Sequence, residues 1–202
     1  MQAETLAAPP AVAGTAPPRQ HIEIVPRAAL PIIAVIVAGL VITIAGNWLW
    51  ALVFYHVVGG ALWTAIDLFV GFVVGPIIGR LSMPARAEFT ARFMPKMVVI
   101  MPTVVLMTLA SGFQLALGLG NLSAVSPNRG WLVASFVVVG VMGTVALGVL
   151  EPANIAVLTE MNKPRPNGQV IARLMRRFIY SAGITGAMQV ATLVIMTRVA
   201  TQ

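Results

Sequence analysis

Five long apolar stretches, separated by every cluster of charge the chain has, constrain this sequence more than any other feature. They run from about Ala28 to Ala45, Leu49 to Ile78, Met97 to Leu119, Trp131 to Leu158 and Phe178 to Ala200. A helix crossing a bilayer needs about 20 predominantly apolar residues at about 1.5 Å of rise each. The first two stretches cannot be one helix, because about 50 residues would reach about 75 Å. The break belongs at Gly46-Asn47, a turn dipeptide, and Trp48, Trp50 and Tyr55 follow it as an aromatic belt would. With 58% apolar and 9% charged residues, the chain has too little charge to cover a water-soluble globule. The expected fold is all-α: a polytopic membrane bundle of five helices, of which the first is the shortest.

The formal net charge of +7 does not point to nucleic acid, because the basic residues lie between the apolar stretches. Arg19 and Arg27 precede the first stretch. Arg80, Arg86, Arg92 and Lys96 follow the second. Lys163, Arg165, Arg173, Arg176 and Arg177 follow the fourth. Only Arg129 and Arg198 fall on the other side, so five crossings divide Lys and Arg eleven to two. The positive-inside rule then puts the N-terminus in the cytoplasm. Residues 1–27, rich in Ala and Pro, read as a flexible cytoplasmic tail, with no apolar run of signal-peptide length. Residues 28–202 read as the transmembrane domain. The two basic linkers read as partly helical. Ser82 with Pro84 makes a helix start, and a second helix begins near Asn167-Gly168 and runs into the fifth stretch.

Each of the last four stretches carries a stripe of small and polar residues, expected to point inward. The second has His56, Gly60, Trp63 and Asp67. The third has Thr103, Met107, Ser111, Gln114 and Gly118. The fourth has Gly140, Thr144, Gly148 and Glu151. The fifth has Ser181, Thr185, Gln189, Thr192 and Met196. Gly71, Gly75 and Gly79 form a small-xxx-small ridge for helix packing, within the chain or between copies. Gly75-Pro76 and Glu151-Pro152 are places where a helix can kink or open.

Ionisable residues inside a membrane are costly and are functional candidates by default. His56, Asp67 and Glu151 are the three. Asp67 lies about 16 Å along the helix from His56, at the depth expected for Glu151 on a facing helix. These two form an intramembrane ionisable pair, able to carry a proton or cation or to pair with Arg80, Arg92 or Arg177. His56 is a candidate metal or haem ligand, with Met107 or Met142 as a soft second ligand. Its other reading is a hydrogen bond to Gln114 or to a backbone carbonyl. Met94, Met97 and Met101 fall near the basic linker, away from the side a methionine copper site would need. There is no cysteine, no phosphate-binding glycine loop and no nucleophile–base set, so an enzyme is not expected.

The H-x6-W pattern of His56 and Trp63, the basic linker from Arg80 to Lys96 with Phe93-Met94-Pro95, and Thr108-Leu109-Ala110-Ser111-Gly112 occur in an order that resembles the copper-resistance protein D superfamily and its predicted integral membrane relatives. That family's helix continues W-x-G-G, whereas Trp63 is followed here by Thr64-Ala65-Ile66-Asp67. The resemblance implies a bacterial inner-membrane helical bundle and raises copper handling or b-type haem binding, with His56 the one matching ligand. The functional expectation is a small integral membrane protein that handles copper or another cation through the bundle interior. A haem-bearing electron carrier and a non-catalytic scaffold, working as a homo-oligomer or in a membrane complex, are the alternatives.

Overall fold

The computed structural model describes residues 21–201. Five helices are long and apolar enough to cross a membrane: α1 Arg27–Ala45, α2 Leu49–Arg80, α3 Met83–Gly118, α4 Arg129–Met161 and α5 Gly168–Ala200. The described residues contain no strand. The protein is a multi-pass helical bundle.

The boundaries follow local chemistry. α1 stops where Gly46 and Asn47 turn the chain, and Asn47 takes the left-handed backbone (φ 48°) that asparagine tolerates. Pro84 stands in the first turn of α3 after Ser82. Asn167 caps α5 by accepting from the amides of Gln169 and Val170. Arg86 turns back to donate to the carbonyls of Ile78 and Gly79 at the end of α2.

The third helix departs from expectation. Residues 83–96 are not a partly helical linker separate from the span. They are its first turns, and α3 runs on unbroken through Pro95 and Pro102. Asn154 of α4 supports that passage. Its side chain is fully buried, and with its amide turned to suit its neighbours it donates to Met94 O (3.2 Å) and accepts from Val98 N (3.0 Å). These two backbone groups, four residues apart, are ones an uninterrupted α-helix joins to each other. Met94 and Met97 are likewise buried, as hydrophobic filler rather than as soft ligands.

α2 and α4 each contain one π-helical turn, Val70–Val74 and Ala146–Leu150. Each ends just before a proline pair, Gly75-Pro76 and Glu151-Pro152. A proline clashes with the carbonyl four residues back, and the wider π turn relieves that clash without breaking the helix. Each π turn also rotates the later residues of its helix by about one position around the axis.

That rotation corrects two stripes. On α4, Gly140, Thr144 and Gly148 face outward, while Glu151 beyond the π turn is half-buried. The face turned inward carries Ser135, Met142, Ala146 and Leu150 instead. On α2, Gly71 and Gly75 pack inside the chain against α5. A Cβ on Gly71 would lie 2.5 Å from the Gly183 Cα, and one on Gly75 would lie 2.5 Å from the Ile179 Cγ2. Gly79 meets nothing within 4 Å, so it does not belong to the ridge.

α2 through α5 make the body of the bundle, with α2 packed on α3 and α5, and α4 packed on α5. α1 lies outside, touching α2 and α3 and burying only Leu40 and Thr43. Three polar contacts hold it. Tyr55 donates to Ile36 O (3.2 Å), its hydroxyl seated against Gly39. Gln114 reaches Asn47 in the turn after α1 (3.3 Å). Ahead of α1, the backbone of Ile22 and the side chain of Asn162 exchange two hydrogen bonds (3.0 and 2.9 Å). The expected tail therefore divides. Residues 1–20 lie outside the described residues, and 21–27 are docked, with Ile22 and Ile24 packed on the core. The docking also sets the start of α1 at the same end of the bundle as the basic linkers.

Candidate functional site

Two cavities lie one above the other inside α2–α5, joined by polar side chains. The first, about 250 Å3, sits toward the end of the bundle that carries His56. His56, Trp63 and Thr64 of α2, Thr108 and Gly112 of α3 and Gln189 of α5 line it, with Ser135 of α4 and Met196 of α5 nearby on its wall.

His56 Nδ1 lies 2.9 Å from the Thr108 carbonyl. A carbonyl can only accept, so in the neutral ring Nδ1 carries the proton and Nε2 keeps its lone pair. Gly112 makes room for the ring, since a Cβ there would lie 2.5 Å from His56 Cε1. Gly59 likewise lets α3 approach, because a Cβ there would lie 2.7 Å from Thr108 Oγ1. The backbone-carbonyl reading of His56 therefore holds and the Gln114 one does not. The two motif fragments, His56 with Trp63 and Thr108 with Gly112, meet at one cavity.

The hydroxyl of Thr64 lies between Gly60 O (2.8 Å) and Gln189 Oε1 (3.0 Å), with one proton for both. Gln189 is 4% exposed, and its amide nitrogen has no partner among the described residues. The indole N–H of Trp63, 1% exposed, is turned to Asp67, one turn on along α2. A buried donor is nearly always paired, so the open amide of Gln189 beside the cavity marks a place for a ligand or water.

One turn further along α2 lies Asp67, 1% exposed, level with Thr185, one turn before Gln189 on α5. Thr185 donates to its Oδ2 at 2.8 Å. Asp67 and Glu151 border the second cavity, together with Met101, Pro102, Phe178 and Ala182. It measures about 10 Å3, the room of about one water molecule. The ion pairs found among the described residues are Arg92 with Glu88 and Lys163 with Glu160. Asp67 and Glu151 do not pair with Arg80, Arg92 or Arg177.

The residues present do not fit a haem or a copper cage. A metal at His56 would find one imidazole and, on the same cavity, the thioether of Met196. Met107 and Met142 do not line it, and the Met142 sulfur accepts from Thr192 instead (3.8 Å). No three His, Asp or Glu side chains gather among the described residues. The cavity is also below the ~300–1,000 Å3 of sites that enclose drug-sized ligands, which leaves no room for a porphyrin.

Sequence reasoning found His56, Trp63, Asp67, Thr185, Gln189 and Glu151. It missed Thr64, Ser135 and Asn154. Thr64 stands one turn after Gly60, and that spacing was its only signal. The chain matches no family model, no curated protein and no solved structure at a significant level. The resemblance to the copper-resistance protein D superfamily therefore stands on the motif residues alone.

Proposed function

We propose that this chain is a proton-handling protein of the bacterial inner membrane, with its N-terminus in the cytoplasm and its path inside α2–α5. The observation that carries this reading is that Asp67 and Glu151, from different helices, border one water-sized cavity with no cation paired to either among the described residues. Carboxylates kept at membrane depth without a structural ion pair are the usual parts of a proton relay. The hydroxyls and amide of Thr185, Thr64 and Gln189 lead from Asp67 toward His56. A proton moves over such groups and single waters, whereas copper needs a cage of soft ligands. The orientation rests on the division of Lys and Arg between the two ends.

The test is proton flux into proteoliposomes holding a pH-sensitive dye, driven by a potassium diffusion potential. Flux well above empty liposomes, lost at least tenfold in Asp67→Asn with the helical spectrum unchanged, is the expected result. Flux equal to empty liposomes would refute the reading. For the orientation, a tag ahead of α1 should be shielded from external protease in intact spheroplasts.

A further inference from the structure

Beyond its place at the end of the proton path, the His56 cavity has a binding chemistry of its own. No Lys, Arg, Asp or Glu lines it, so it does not recognise a charged ligand. It offers an acceptor at His56 Nε2, left free because Nδ1 is engaged by Thr108. It offers a donor at the unpartnered amide of Gln189, whose side chain is more than nine-tenths buried. Hydroxyls of Ser135 and Thr192 stand beside them, and most of the remaining wall is apolar.

The entrance points to where a ligand comes from. Val57, Phe113, Phe136 and Leu193 line the cavity and are exposed on the surface of the bundle. Phe113 of α3 and Phe136 of α4 meet edge to face across the gap between their helices, with centroids 6.3 Å apart. Entry past such side chains is from hydrocarbon, not from water. The cavity, about 250 Å3, lies just under the range of drug-sized sites, which suits a single ring rather than a fused or macrocyclic system.

We propose that this cavity binds the uncharged ring of a membrane-soluble quinol, whose hydroxyl donates to His56 Nε2 and whose second oxygen accepts from the Gln189 amide. One bound ring pairs the buried donor that the protein leaves open. It also fills the space between Trp63 and the two phenylalanines.

The experiment uses the full chain in lipid nanodiscs and a decyl-substituted benzoquinol kept reduced under argon, titrated by calorimetry. Saturable binding of one quinol per chain is expected. The same molecule with both hydroxyls methylated should bind at least tenfold more weakly, because it has no proton to give His56. Gln189→Leu and His56→Phe should each weaken the quinol about tenfold while helix content and melting are retained. Unsaturable uptake, equal affinity for quinol and dimethyl ether, or variants that bind as the wild type would each overturn the proposal. The ether comparison needs no variant, so it stands even if a substituted chain fails to fold. Loss of proton flux in Asp67→Asn with quinol binding intact would separate the two readings.

Discussion

Thr185 of α5 donates a hydrogen bond from its hydroxyl to the carboxyl group of Asp67 on α2, at 2.8 Å and out of reach of solvent. The bond lies beside a close approach of these helices, where Gly186 meets the backbone of Asp67 and Leu68. Close backbone contact and a buried polar bond thus support each other. Small residues bring the helices near enough for a short hydroxyl to span the gap.

Thr185→Val should therefore remove the Asp67 partner while keeping shape. A buried acceptor left unsatisfied costs about 1–3 kcal/mol. Unfolding followed in detergent should show a loss of that size, and Thr185→Ser should recover most of it.

The glycine ridge gives a paired prediction. Gly71→Ala puts a methyl 2.5 Å from the Gly183 backbone, and backbone cannot rotate away. Overpacking of this kind costs about 1–3 kcal/mol. Gly79→Ala meets open space, and should leave the melting temperature unchanged or raise it slightly, since alanine favours helix. A common response of the two variants would contradict the packing described.

Gly112→Ala should push the imidazole of His56 off Thr108. The readout is the Nδ1–H resonance of 15N-labelled histidine, present and hydrogen-bonded in the wild type and lost or shifted in the variant. An unchanged resonance would mean that the ring does not sit against Gly112.

Asn154→Leu keeps the approximate volume of the side chain but strips two hydrogen bonds from the backbone around Pro95. The variant should lose about 1–3 kcal/mol. Amide exchange at Val98 should rise well above that at the neighbouring helical amides.

Much of the fold was legible because membrane helices carry their signal in length and composition. The turn at Gly46-Asn47, the Pro84 start of α3 and the Asn167 start of α5 were readable from local preferences. The facing of Gly140, Thr144 and Gly148 was not, since regular helical spacing through Glu151 assumes no change of pitch, and Pro152 imposes one. Asp67 and Glu151 were legible as costly charges. The pairing of Gln189 with Thr64 was not, because a side chain's partner across the bundle depends on how closely two helices approach. The docking of residues 21–27 was hidden for a related reason: Ile22 is held by a side chain 140 positions away.

The peripheral placing of α1 bears on how the molecule is assembled. It precedes α2–α5 in the chain, yet the polar interior is built without it, from those later helices. Its attachments are a few hydrogen bonds near its two ends and a tyrosine notch midway, with little interlocking surface between. The Ile22–Asn162 contact can therefore form only once the end of α4 has been made. That clasp joins the beginning of the chain to the final hairpin.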